Sequence, residues 1–500
     1  MDPNDPGGRP PEPERPVPPR PAWPPPPPAA SWPGQPPGSA PPAQLGWAPP
    51  GPAGWGPPPA SPVPTGWGLP GPPPPPPRRR AGWIVAAVAG LLVVALVAAF
   101  LVVRPGDQAP RAAGRRPAAG LPSAPGAPST DPRVELRALL AKRAKAVRGD
   151  DRATFLATVD KRQTRFYKRQ ETLFEAMRTV PFSAFAYEIT RLEAPRNEVY
   201  RAQVETRYRF EGQDDSPVLA RDSFTFVKTR SGWRIAGPGD AGMRRRDDVE
   251  IWDFGPGKTV RSARTLIVYH DGQGELAGRL LLAADRAYAQ VGAAWTGRWE
   301  RKAVILVPRN QAAAEKLVGA RDLSRVAAVA SSSVESGDVE RVLGNRIVVN
   351  SSNVVRYDRL SLQVLVTHEM THVATRTLGD GVPLLLVEGF ADYAALKPVR
   401  LPFEVTHQAL ARRSVDGRLP MDDEFRRRNA PVAYDEGSAF CQWVAVTHGS
   451  RKLQALYREF RGSDSPSSRE LDRGFRKVLR ISYRTAERRW AAWVREQLAS

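Results

Sequence analysis

Cysteine, histidine and methionine are scarce in this chain of 500 residues: one, five and five copies respectively. A lone cysteine, Cys441, excludes an intrachain disulfide and any zinc site built on thiolates. Its neighbours Ala439, Phe440 and Trp443 suit a buried packing role. Acidic residues are also short, 52 against 73 Lys plus Arg, for a net charge of +21. That balance brings nucleic acid to mind as a partner. However, the positive charge is spread over the whole chain, with no zinc-finger spacing, RNA-binding signature or basic heptad helix. One local cluster, Arg426-Arg427-Arg428, is offset by Asp422, Asp423 and Glu424 just before it. No nucleic-acid partner is expected. Attraction to anionic polymers or lipid headgroups is the more plausible use of the charge, and a bias toward arginine explains it most simply.

Against so few histidines, two within five residues stand out: His368-Glu369-Met370-Thr371-His372. Leu362, Leu365, Val366 and Val373 around them recur at helical spacings. On a helix, positions i and i+4 share a face, so both rings can reach one ion. Gly379 and Gly381 stop this helix, and Pro383 suits the first turn of the next. The second helix, Leu384 to Leu396, carries Glu388 and Asp392, again at i and i+4. Glu388 can be the third ligand of a catalytic zinc, whose fourth position is left for water. Asp392 can accept the free N–H of one histidine and fix its tautomer. Glu369 stands where a general base is needed. Two surface histidines on an ordinary helix are the plainer alternative.

The run H-E-M-T-H followed by E-G-F-A-D-Y resembles the gluzincin, thermolysin-like zinc metallopeptidases, and in particular the peptidase-MA-like domains of bacterial envelope proteins. The resemblance covers roughly residues 245–500. It implies one Zn2+ per chain held by His368, His372 and Glu388, with Glu369 as general base and Asp392 orienting a ligand histidine. It also implies a mixed sheet over the active helix and a helical C-terminal lobe. An oxyanion donor downstream of the third ligand would be Tyr434, His407 or His448. Tyr434 is favoured because it opens a helix-like segment after Pro431, and a core aromatic with a satisfied hydroxyl is the equal alternative. Members of this group pair an extended peptide with an edge strand. The β-branched run Arg346-Ile-Val-Val-Asn350 is the candidate, with Val348, Val349 and Asn350 as substrate-binding residues. A wholly internal strand is the simpler alternative there. The expected activity is hydrolysis of peptide bonds in a peptide or protein substrate. The alternative is a non-catalytic, zinc-containing envelope binding or scaffolding protein.

Residues 81–103 are uncharged and apolar. At about 1.5 Å per residue they span a hydrocarbon core of about 30 Å, and 80 residues precede them, so they read as a retained membrane helix and not a cleaved signal. Arg78-Arg79-Arg80 favour a cytoplasmic N-terminal side, while Arg104, Arg111, Arg115 and Arg116 beyond the segment nearly balance the count; the compactness of the triplet and the resemblance to bacterial envelope proteins decide the orientation. The expectation is a single-pass protein of the cell membrane, with its tail cytoplasmic and its catalytic domain extracytoplasmic. Residues 1–80 hold 34 of the 53 prolines and read as a disordered tail with polyproline II character. A solvated segment is the plain reading, and a proline-recognising partner is the binding alternative. Residues 104–130 read as a flexible linker.

The fold class expected for the rest is α+β. In residues 131–242, helices (Val134–Val147, then a segment from Asp151) precede strand-like runs: Ala184–Arg191, Val199–Phe210, Asp222–Lys228 and Gly232–Ala236. This pattern suggests a cone-shaped domain, and Ser-Gly-Trp-Arg-Ile-Ala resembles the last hairpin strand of nuclear-transport-factor-2-like (NTF2-like) domains. In residues 245–500, Thr265–His270 and Lys302–Pro308 read as strands and Glu275–Trp295 as a helix between them.

Overall fold

Helix α1 (Pro132–Arg148) shows how the local code operates. The Asp131 side chain accepts from the Arg133 N–H, Pro132 occupies the first turn, and Gly149 follows the last. Its buried stripe, Leu136, Leu140, Ala144 and Val147, has the 3–4 residue spacing of one helix face. Helices α2 (Arg152–Ala157) and α3 (Thr164–Met177) complete this layer. A four-stranded antiparallel meander follows, in the order β1 (Phe182–Leu192), β2 (Val199–Phe210), β3 (Val218–Thr229), β4 (Gly232–Pro238). From Arg201 onward strand β2 alternates between half-buried and buried residues, as a sheet with one covered face should. Strand β3 starts four residues before the expected Asp222. The polar pair Arg221–Asp222 masks its start, because Arg221 points to the outer face and grips Asp248.

The molecule is a computed structural model that describes residues 131–239, 247–335, 341–375, 381–413, 415–427, 430–462 and 466–499. The proline-rich tail, the apolar segment 81–103 and the linker 104–130 lie outside the described residues. No helix among the described residues is long and apolar enough to cross a membrane.

The second sheet is mixed and five-stranded, ordered β5 (Lys258–Arg261), β6 (Thr265–Tyr269), β7 (Ala303–Val307), β9 (Arg341–Val349), β8 (Ala328–Glu335). Strands β6, β7 and β9 are parallel, and β5 and β8 run antiparallel at the two edges. The central strands are apolar almost throughout because both faces are covered. Ile267, Ile305, Val307, Ile347 and Val349 join a core with α4 (Gly274–Ala294), α7 (Arg359–Thr375) and α8 (Leu384–Leu396). Leu266, Val268, Val304, Leu306 and Val348 join another core with Phe174, Tyr208, Phe210 and Val218 of the first sheet's layer. Short helix α5 (Gln311–Val318) follows β7, and α6 (Ser351–Val354) links β9 to α7. After α8 come α9 (Phe403–Thr406), α10 (Gln408–Ala411), α11 (Ala430–Thr447), α12 (Ser450–Glu459), α13 (Ser468–Leu479) and α14 (Tyr483–Ala499). The chain is therefore α+β, with one sheet sandwiched between a helical lobe and a smaller α+β layer.

Trp252, on the turn between the two sheets, packs edge-on against Phe182 at 5.2 Å and Tyr208 at 5.0 Å. Such aromatic pairs are worth about 0.5–1.5 kcal/mol each beyond their burial. The expected substrate strand is corrected here. Arg346–Asn350 lies inside the sheet: Val348 pairs with Leu306 on one side and Val329 on the other. Asn350 is tied by its N–H to Ala327 and by its side chain to Leu323. Val348, Val349 and Asn350 have no free backbone edge to offer a peptide, and their β-branched composition reflects burial on two sides. Strand β8, not β9, lies at this edge of the sheet.

Candidate metal centre

Helix α7 is buried along almost its whole length. Its start is capped by Asp358, which accepts from the Ser361 N–H at 2.7 Å. One turn before the motif, Gln363 and Thr367 both bond Gln290 of α4, which fixes the rotation of α7 about its axis. Helix α8 has Pro383 at its cap, without a capping side chain of its own. The first N–H, that of Leu384, is taken by Asp422 from a distant loop at 2.8 Å. These anchors aim two helix faces at each other.

At the crossing, the Nε2 atoms of His368 and His372 stand 3.0 Å apart, and Oε2 of Glu388 lies 3.4 Å from the first and 3.5 Å from the second. A tetrahedral ion with bonds of about 2.0–2.1 Å has ligands about 3.3–3.4 Å from one another. The triangle therefore has the size such an ion requires, and His368, His372 and Glu388 form the metal-capable cluster among the described residues. Nδ1 of His368 is 2.7 Å from Oδ1 of Asp392. With the proton on Nδ1, the Nε2 lone pair faces inward. Three carboxylates, Glu369, Glu388 and Asp392, are buried here beside two imidazoles. Neither oxygen of Glu388 has a hydrogen-bond partner. A buried carboxylate without hydrogen bonds is costly, and a divalent cation removes that cost. The residues fit zinc.

The electrostatics follow from crowding. Burial pushes Glu388 up, but His372 and His368 outweigh it and hold the carboxyl down at about 2. Burial pushes His368 down, yet Asp392 and Glu388 outweigh it and raise its pKa well above the ordinary value. The acids that would favour a cation thus also favour a proton on His368, so protons compete for the same place. Burial raises the Glu369 carboxyl, against the pull of His368 and His372. Glu369 accepts a hydrogen bond from the backbone of Ala330 on β8, and its Oε2 is left without a partner.

Tyr434, in α11, is brought to the same cluster. Burial first, then the charges of Glu388, Asp392 and Glu369, drive its hydroxyl pKa well up. Its ring stands on Phe425 at 5.3 Å. The approach depends on two glycines. A Cβ on Gly389 would meet the Gly437 carbonyl oxygen at 2.3 Å, so α8 and α11 touch backbone to backbone. His407 and His448 are occupied elsewhere. His407 is buried, stacked on Phe403 at 4.2 Å and bonded to Thr406 and Ser438. His448 sits at the far end of α11 against Trp443. Cys441 is fully buried on the same helix, and burial raises its thiol well above the ordinary range. Sequence reasoning did not find Ala330, the two glycines or Asp422. Strand β8 is rich in Ala and Ser (Ala328-Val-Ala-Ser-Ser-Ser), which carries little strand signal.

The chain was compared with models of protein families and with curated proteins, and it matches none of them.

Proposed function

We propose that this chain is a membrane-anchored zinc metallopeptidase of the gluzincin kind. The observation that carries the reading is the convergence of His368, His372 and Glu388 on one point, with the buried carboxylate of Glu369 beside it. His368, His372 and Glu388 would hold the ion. When bound, zinc polarises a carbonyl and lowers the pKa of a water to near neutrality. Glu369 takes a proton at its unpartnered Oε2 and returns it to the leaving amine. Asp392 keeps His368 in one tautomer, and the Tyr434 hydroxyl donates to the developing oxyanion. A peptide is placed alongside β8, the strand at this edge of the sheet.

The wider assignment follows the same lines. The mixed sheet with its helical lobe agrees with a zincin-type domain. The helices and four-stranded meander of residues 132–238 agree with an NTF2-like cone. Residues 81–103 anchor the chain in the cell membrane, with the catalytic domain extracytoplasmic.

The test is zinc content of the full-length protein by elemental analysis, together with cleavage of a mixed peptide pool by wild type and Glu369→Gln. One zinc per chain in both, with cleavage lost at least ~100-fold in the variant, is expected. Equal activity in the two proteins would sink the role of Glu369. Zinc without any cleavage by wild type would leave the scaffolding alternative in possession.

A further inference from the structure

A buried polar contact joins the two layers behind the strand that reaches Glu369. Arg346, on β9, grips Asp214, in the loop between β2 and β3, through two parallel bonds of 2.8 and 2.7 Å. Both side chains are under one-tenth exposed. The guanidinium lies over the Phe210 ring at 4.5 Å, and Asp214 also accepts the Phe210 N–H at 2.8 Å. Two bonds and a stacked ring leave Arg346 little freedom. The next residue, Asp215, reaches Lys302 at the start of β7 at 2.8 Å. Gly344, at φ +57°, rests on the first residue of β3: a Cβ there would lie 2.2 Å from Val218 Cγ2. The β8–β9 hairpin is therefore seated on the first α+β layer.

The register carries this seat to the site. Arg346 pairs with Ser331 on β8, and the neighbouring residue Ala330 pairs with Ile347. Ala330 supplies the backbone hydrogen bond to Glu369. One residue thus separates the clamp's register from the contact to the general base. Edge strands have neighbours on one side only, so their position is set by whatever supports them. Here that support comes from Asp214, about 155 residues from Glu369 along the chain but close to it through one strand pair.

We infer that the α+β layer formed by residues 132–238 is a working part of the site, and that Asp214 and Arg346 are positioning residues that hold β8 in register with Glu369 and with an incoming peptide. The inference deepens the peptidase reading and rests on it for its kinetic consequence. Its mechanical part stands on the contacts alone.

The experiment uses the full chain as wild type, Asp214→Asn, Arg346→Met and Arg346→Lys. Hydrogen exchange of amides 328–331 is compared with that of β6 and β7, zinc content is measured, and kcat and KM are determined separately on a peptide pool. Asp214→Asn and Arg346→Met should lower protection of the β8 amides at least ~10-fold while β6 and β7 hold theirs. Zinc should stay at one per chain, and kcat/KM should fall at least ~10-fold. Arg346→Lys, which keeps the charge, should fall between these and wild type. Unchanged β8 protection in a folded variant overturns the inference, as does an equal loss across all three strands, which is the mark of a merely structural pair. If wild type holds zinc and cleaves nothing, the peptidase reading fails and the exchange comparison decides the clamp by itself. If the two stronger variants do not fold, Arg346→Lys decides it.

Discussion

Replacing Gly389 by alanine tests the helix crossing that brings Tyr434 to the metal cluster. A methyl group at Gly389 meets the carbonyl oxygen of Gly437 at 2.3 Å, its carbon at 2.5 Å and its Cα at 2.9 Å. Ordinary contact begins near 3.4 Å, so the helices must part by about 1 Å, and every atom in the way is backbone. Overpacking of this kind costs about 1–3 kcal/mol. Backbone atoms cannot swing aside as a side chain can, so the upper part of that range, about 2–3 kcal/mol, applies; alanine returns about 1 kcal/mol of helix propensity, which leaves a net loss of about 1–2 kcal/mol. The reciprocal change, Gly437→Ala, meets Leu385 O at 3.2 Å and Gly389 Cα at 3.3 Å. A few tenths of an ångström relieve that contact, and the propensity gain brings the balance to about zero. Thermal unfolding of the two variants should therefore differ in sign or nearly so, although both add one methyl to the same crossing. Zinc content should be unchanged in both. Peptide cleavage should fall ~100-fold in Gly389→Ala, because a displacement of about 1 Å between Tyr434 and Glu388 spoils alignment. Equal unfolding temperatures for wild type and Gly389→Ala would refute the reasoning, since backbone contact this close cannot absorb a methyl group.

Two further outcomes are expected. Asp392→Asn removes the charge that orients His368 from 2.7 Å and should weaken zinc binding ~10-fold, read by competition with a chromophoric chelator; an unchanged affinity would show that Asp392 has no hold on the ligand. His407 has its pKa lowered by burial to about 4, from an ordinary 6.5. The unfolded chain takes up this proton first, so the stability His407 contributes is complete above about pH 6.5 and is lost as pH falls toward 4. Between pH 7 and pH 5 the loss amounts to about 2 kcal/mol relative to His407→Asn. Urea unfolding of both proteins at the two pH values checks this. Asp435 and Glu436, whose carboxyls burial lifts to about 8, titrate in both proteins and cancel in the comparison. Parallel pH curves would show that His407 is not held neutral.

How much of the site could be read without coordinates depended on the range of each interaction. The pairs His368/His372 and Glu388/Asp392 are legible because helical periodicity puts i and i+4 on one face whatever the surroundings. The start of the second helix is announced by Pro383, whereas the cap of the first, Asp358, was not read from the sequence. Strand β8 is not legible: its Ala and Ser residues carry no alternation, and its importance lies in being last in the sheet. Strand β9, with its β-branched run, drew the substrate role to itself for the wrong reason, since that composition marks a strand covered on both sides.

The sequence by itself determined the chemistry on offer: two imidazoles and two carboxylates at helical spacing, a third carboxylate next to one imidazole, and no thiolate to compete. It also determined the α+β class, because helix and strand periods are local properties of the chain. Only the tertiary structure decided that the two helix faces converge to within 3.5 Å, that Tyr434 joins them across a glycine contact, and that β8 rather than β9 is the edge. It alone seated that edge on Asp214, in a different layer. Each of these depends on which distant segments share a boundary, and a boundary is set by packing against a partner that the local residue pattern does not name.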